Sequence, residues 1–273
     1  MIMTSVFILC KNESVMEVPM TGSSQTNQSF KMLEDKPSKV LSLGGGEMEK
    51  AYAYREVLLE QSRQEGLRKG IRTELRIRWA ACALLESTSL DALKVQDICL
   101  QVEIAQGTLY QYFPDRDSLL EQILQDFVVF MKERMLAAAR SSVGYEASVR
   151  QSTQTYSRLF EQNCGLMKCL LNHYETFPKA KTILQSLNRD WNATVVESVK
   201  KKRLSSGFGG QTSDVELQRR AYALGGMVDQ YLSSIFLYAD QSLSAIAGDR
   251  DAVVETLTYI WLQSFKDQFE PPK

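Results

Sequence analysis

The chain has 273 residues, with 32 Lys and Arg against 33 Asp and Glu and a formal net charge of −1. That length suffices for one large helical unit or two smaller ones. A balanced charge excludes a general polycation, so any affinity for nucleic acid must come from a local patch.

Residues 1–47 are rich in Ser, Thr, Gln, Asn and Gly and end in Leu43-Gly44-Gly45-Gly46. They show no periodic apolar pattern and are expected to be a disordered extension. Val6 to Cys10 is the one short apolar run there, and it lacks the basic region and cleavage site of a signal peptide. No apolar run in the chain approaches the roughly 20 residues that a membrane span requires. The five cysteines, Cys10, Cys82, Cys99, Cys164 and Cys169, form no C-x-x-C pair. They read as thiols in a reducing cytoplasm. A lone histidine, His173, excludes a multi-histidine metal site. It suits a polar helix end or a pocket contact.

From about Glu49 onward the apolar spacing is helical almost throughout, and strand alternation is missing. An all-α fold is expected. The first periodic stretch covers Lys50 to Ser87, with a break near Gly66 or Gly70. Its residues 63–78 carry Arg63, Arg68, Lys69, Arg72, Arg76 and Arg78 against only Glu65 and Glu74. Such a cluster suits either a solvated face or a contact with DNA. Leu90 to Val102 follows as a short amphipathic helix with Val95, Ile98, Cys99 and Val102 on one face. Glu103-Ile104-Ala105 reads as a turn, and Gln106 to Tyr112 as a second short helix. Pro114 ends that helix, and Asp115 is a good N-cap for the next, Arg116 to Arg140.

Two short helices joined by a three-residue turn form the helix-turn-helix pattern. Ala80, Ala81, Ile98, Val102, Ile104, Leu109 and Phe113 can close a small three-helix core. That leaves Gln106, Gly107, Thr108, Tyr110, Gln111 and Tyr112 outside it or at its border. Each suits DNA. The Gln106 amide can read an adenine edge. Gly107 lets the backbone approach closely. The Thr108 hydroxyl and methyl fit a phosphate or a thymine. The tyrosine hydroxyls suit phosphate oxygens. Arg116 opposes the dipole at the start of its helix, which makes sense if it shares a phosphate with that helix end.

Residues 77 to 124 resemble the DNA-binding domain of the TetR family of transcriptional regulators. The resemblance rests on Ala80-Ala81, on Val95-x-x-Ile98, and above all on Gly107-Thr108-Leu109-Tyr110-x-Tyr112-Phe113-Pro114-Asp115-Arg116-Asp117-Ser118-Leu119-Leu120. It covers under a fifth of the chain. The resemblance implies a DNA-contact set of Lys94, Ala105, Gln106, Gly107, Thr108, Tyr110, Gln111, Tyr112 and Arg116. Lys94 stands where the family has a phosphate-binding Thr. Five residues depart from the family pattern. Glu103 replaces a turn glycine, Ala105 a capping Ser or Thr, Cys99 and Val102 alanines, and Ser89 a glycine.

Beyond the extension 1–47, the same resemblance implies a helix-turn-helix domain 48–123 and a ligand-binding and dimerisation domain 124–270. Helices are expected over Glu146 to Gln162, Gly165 to Asn172, Pro178 to Arg203, Asp214 to Ala239 and Asp249 to Phe269, with a loop over Ser205 to Ser213. Leu224, Met227, Val228, Tyr231, Ile235 and Phe236 on one helix, with Ala252, Val253, Thr256, Leu257, Ile260, Trp261 and Phe265 on the next, are expected to pair with a second copy. Tyr156, Phe160, Met167, Tyr174, Phe177 and Trp191 are expected to line an effector pocket, each being equally suited to a core. The implied partners are a palindromic double-stranded DNA operator, a small-molecule effector and a second copy of the chain. No nucleophile–base pair, phosphate loop or metal cluster points to an enzyme, and no cofactor is implied. The rival expectation is a protein of the same fold that binds a ligand or a partner without specific DNA recognition.

Overall fold

The computed structural model describes residues 52–172, 176–207 and 212–269. The expected extension, 1–47, lies outside the described residues, as do Cys10, His173 and Tyr174. The helices in chain order are α1 (Tyr54–Arg63), α2 (Lys69–Leu85), α3 (Val95–Val102), α4 (Gln106–Tyr110), α5 (Arg116–Arg140), α6 (Tyr145–Gln162), α7 (Cys164–Asn172), α8 (Pro178–Ser206), α9 (Asp214–Phe236), α10 (Ser244–Ala247) and α11 (Arg250–Ser264). No strand occurs among the described residues, so the fold is all-α.

The local signals explain most of the boundaries. The first periodic stretch divides into α1 and α2 at Gly66, whose φ of +76° is a left-handed conformation that glycine adopts without strain. Leu90 to Leu93 is a turn, with the Leu93 N–H bonded to the Ser89 carbonyl at 3.2 Å. α3 therefore begins later than expected, at Val95, with Lys94 extended at its N-cap. It ends at Glu103, which takes the left-handed conformation at φ 60°, while the Ile104 N–H bonds the Cys99 carbonyl at 3.0 Å. This is the usual glycine-type helix stop, here made with a glutamate. Pro114 stops the chain after α4 because it offers no N–H. The Asp115 carboxylate then accepts from the Ser118 N–H at 2.6 Å and starts α5. That bond, more than any other influence, holds the Asp115 carboxyl below the ordinary carboxylate range.

α5 is a rod shared by both halves of the molecule. Leu119, Leu120, Ile123, Leu124, Phe127, Phe130, Met131, Met135 and Ala139 are all buried, at helical spacing. One continuous core runs from Tyr54 through Ile77, Ala80, Ile98, Leu109 and Phe113 to Met167, Trp191 and Leu257. A second cluster gathers Val149, Val195, Val199, Leu217, Ala221, Leu224, Trp261 and Phe265.

Polar groups stitch these helices together. The Arg78 guanidinium, buried in α2, donates to the Tyr54 hydroxyl at 2.8 Å and pairs closely with Asp126 of α5. The Asn163 amide, at the junction of α6 and α7, accepts from the Tyr54 N–H and donates to the Tyr52 carbonyl, each at 2.8 Å. Gly165 lies against the end of α2, where a Cβ would come within 2.5 Å of the Leu85 carbonyl carbon.

The expected pairing faces require correction. Leu224, Val228, Val253, Leu257, Trp261 and Phe265 are buried inside the chain itself, and Met227, Tyr231, Ile235, Phe236 and Ile260 are half-buried. Of the residues expected there, only Ala252 and Thr256 are exposed. The apolar sides of α9 and α11 pack against α6, α8 and each other. Their outward sides carry Tyr222 and Tyr259 instead. Several helix ends also differ. α8 runs on to Ser206, α9 stops at Phe236, and α11 gives way after Ser264 to a 3-10 turn, Lys266–Gln268.

Candidate nucleic-acid interface

Leu109 and Phe113 anchor the short helix α4, being almost wholly buried against Ala80, Ala81, Ile98 and Val102. Ile104 is half-buried at the edge of the same core. With its inner side fixed, α4 turns its other side outward. Ala105, Gln106, Gly107, Tyr110 and Gln111 are exposed, and Thr108 and Tyr112 are half-buried. Tyr110 keeps 48% of its surface in solvent despite its ring.

Gly107 is the telling residue. A Cβ built there meets nothing within 4 Å. Packing does not require a glycine, and in a helix it costs about 1 kcal/mol relative to alanine. The empty space outside the backbone is what the glycine provides. Ala105 makes no side-chain cap at the start of α4; its carbonyl accepts from the Thr108 N–H at 2.9 Å.

The other expected contacts sit around this surface. Lys94 is exposed at the N-cap of α3. The Tyr112 hydroxyl turns toward the start of α2, 3.7 Å from where a Cβ on Gly70 would lie. Arg116 also has partners within the chain. Its guanidinium reaches the carbonyls of Leu90 and Leu93 at 3.4 and 3.3 Å and the neighbouring Asp117 at 3.3 Å. These bonds fasten the turn before α3 to the start of α5 and explain a cation at a helix N-terminus without any phosphate. About a third of its side chain remains exposed.

The structure places the expected pocket residues in the core behind α5. Tyr156, Phe160, Met167, Phe177 and Trp191 are all buried. The Tyr156 hydroxyl donates to the Asp229 carboxylate at 2.6 Å, and its ring meets Phe160 edge-on. Burial holds the Tyr156 hydroxyl protonated well above the ordinary tyrosine range. Asp229 was not among the expected site residues. Its signal was a carboxylate at helical spacing with Gly225 and Leu232, on the inner side of α9.

Residues 77–123 match the family model described as bacterial regulatory proteins, tetR family. Comparison with curated proteins found no match. Among solved structures, FadR from Bacillus subtilis in complex with stearoyl-CoA is similar at a TM-score of 0.55 and 13% identity, over 70% of this chain and 98% of that one. Salmonella enterica GusR gives 0.57 and 21%, over 73% and 98%. A TetR-like transcriptional regulator from Rhodococcus sp. RHA1 gives 0.53 and 14%, over 72% and 98%. Residues 77–123 thus match the tetR-family model, in an all-α chain whose fold is similar to that of solved TetR-like transcriptional regulators.

Proposed function

We propose that the protein is a homodimeric, ligand-responsive transcriptional regulator of the cytoplasm that acts as a repressor. It holds a palindromic double-stranded DNA operator and releases it when a small molecule enters the region behind α5. Residues 48–123 read DNA, and residues 124–270 receive the effector and dimerise. The observation that carries this reading is the exposed side of α4, with Gln106, Tyr110 and Gln111 around a glycine that nothing in the protein requires. Gln106, Gly107 and Thr108 face the bases. Lys94, Ala105, Tyr110, Gln111, Tyr112 and the free part of Arg116 lie against the backbone. Two-fold symmetry sets the two copies of α4 about 34–36 Å apart, one turn of DNA. The outward sides of α9 and α11, with Tyr222, Ala223, Tyr259, Ala252 and Thr256, supply the surface for the second copy.

Tyr156, Phe160, Met167, Tyr174, Phe177 and Trp191 line the effector site. FadR, a regulator of similar fold that is in complex with stearoyl-CoA, supports an effector with an apolar part. Tyr156, Phe160, Met167, Phe177 and Trp191 are buried, so a ligand enters only a rearranged state, and its preference for that state supplies the energy of release.

Selection of duplexes from a random pool tests the reading. The full chain is expected to enrich a two-fold symmetric sequence, with enrichment lost when the right effector is added. Failure to enrich any sequence refutes it. A second reading, a protein of this fold without operator recognition, is favoured by Glu103, an exposed negative charge beside α4. The same selection separates the two.

A further inference from the structure

We propose that Arg63, Arg68, Lys69, Arg72 and Arg76 form a second nucleic-acid contact, which grips the phosphate backbone of the duplex beside the bases that α4 reads. The inference rests on the DNA-binding reading above and extends it to the loop between α1 and α2 and the first turns of α2.

The chain as a whole carries a net charge of −1, yet residues 63–76 hold these five cations against Glu65 and Glu74 alone. All five basic residues are exposed. Several surface cations elsewhere are held by carboxylates, as in Lys179 with Glu121, Lys200 with Asp214, Arg220 with Asp267 and Arg250 with Glu161. Among the described residues, Arg63, Arg68, Lys69 and Arg76 have no ion pair. Arg72 makes only a long 3.4 Å bond to the Gln64 carbonyl. Neither Glu65 nor Glu74 pairs with any of them.

Helix stability does not account for the cluster. The first turn of α2 contains no acidic residue. Lys69 and Arg72 there oppose the positive end of the helix dipole, which costs some tenths of a kcal/mol for each. Lys69, Arg72 and Arg76 follow the i, i+3, i+7 spacing of a single helix face. That face starts beside the DNA-facing surface, since the Tyr112 hydroxyl that follows α4 lies 3.7 Å from where a Cβ on Gly70 would be. A row of exposed, unpaired cations next to a base-reading helix fits the regular charges of a duplex backbone, to which it adds affinity without sequence preference.

The test uses the full chain and fluorescence anisotropy, with a duplex carrying the selected sequence and a scrambled duplex of equal length, across a salt series. The Arg68→Ala/Arg72→Ala/Arg76→Ala variant is expected to bind both duplexes more weakly by the same factor. Its plot of log K against log salt should be shallower by about 0.9 for each phosphate that is no longer neutralised. The triple Arg→Lys variant should keep the wild-type slope, and circular dichroism should show both variants folded. An unchanged slope in the alanine variant overturns the proposal. So does a change in preference between the duplexes at constant slope. If the wild-type chain prefers neither duplex, the operator reading fails, while the salt slopes still decide whether these cations hold DNA.

Discussion

The Tyr54 backbone N–H donates a 2.8 Å hydrogen bond to the side chain of Asn163, 109 residues later in the chain. The same amide donates to the carbonyls of Tyr52 and Leu159 at 2.8 and 2.7 Å, and only 2% of Asn163 is exposed. One side chain thereby fixes the start of α1 to the junction of α6 and α7. Asn163→Ala leaves the buried Tyr54 donor without its partner, at a cost of about 2–4 kcal/mol in all. Urea denaturation should show a midpoint lowered accordingly with little change in slope. A loss under about 0.5 kcal/mol would mean that these bonds do not hold the segment.

Two glycines are expected to respond in opposite ways to the same substitution. At Gly165 a methyl group would press on the backbone of Leu85 and Glu86, which cannot move aside as a flexible side chain would. Gly165→Ala should destabilise the fold by about 1–3 kcal/mol. At Gly107 the methyl group meets open space. Gly107→Ala should raise stability by about 0.5–1 kcal/mol through helix propensity, yet weaken DNA binding by filling the gap that the duplex occupies. Thermal melts and anisotropy titrations on both variants check the contrast.

Glu103 bears on both stability and DNA affinity. Its left-handed conformation costs about 1–2 kcal/mol in a residue with a Cβ, partly offset in Glu103→Gly by the entropy of the more flexible chain. The variant should melt a few degrees higher. It should also bind duplex DNA more tightly at low salt, because an exposed negative charge has left the interface, and this advantage should fade as salt screens it. Equal affinities at low salt would place Glu103 away from the phosphates.

The Asp115 cap predicts a pH dependence. Its folded-state pKa is lowered, chiefly by the Ser118 N–H. The stabilisation is therefore fully present above the ordinary carboxylate pKa and is lost as pH falls through the lowered one. Asp115→Ala should be less stable than wild type near neutral pH, and the difference should close in strong acid. A constant difference from neutral to strongly acidic pH would rule out the carboxylate as the cap.

The parts of the fold that depend on neighbouring residues were legible in the sequence. Asp115 as a cap, Pro114 as a stop, a break near Gly66 or Gly70 and the whole of α5 from Arg116 to Arg140 are local matters of backbone and hydrogen bonding. The helix-turn-helix core was legible for the same reason, since Ala80, Ile98, Leu109 and Phe113 lie close along the chain. Contacts across long separations were not. Nothing near Asn163 points to Tyr54, and nothing near Gly165 points to Leu85. Periodicity marked Leu224, Val228 and Trp261 as an apolar side, but it could not say whether a second copy or the chain's own helices cover it. At the candidate interface, sequence placed Gln106, Gly107 and Tyr110 outward, and they are exposed. It did not show the intrachain partners of Arg116, because the carbonyls of Leu90 and Leu93 that its guanidinium reaches come from a turn 23 to 26 residues earlier.

The division of labour on α4 is tested most directly by comparing Gln106→Ala with Tyr110→Phe on the selected duplex and on duplexes changed at single base pairs. Gln106→Ala is expected to relax preference at one base pair by about 1–3 kcal/mol. Tyr110→Phe should weaken binding to every duplex alike through the loss of a phosphate bond. If neither variant changes binding, or if both change it in the same way, α4 does not read DNA with these side chains.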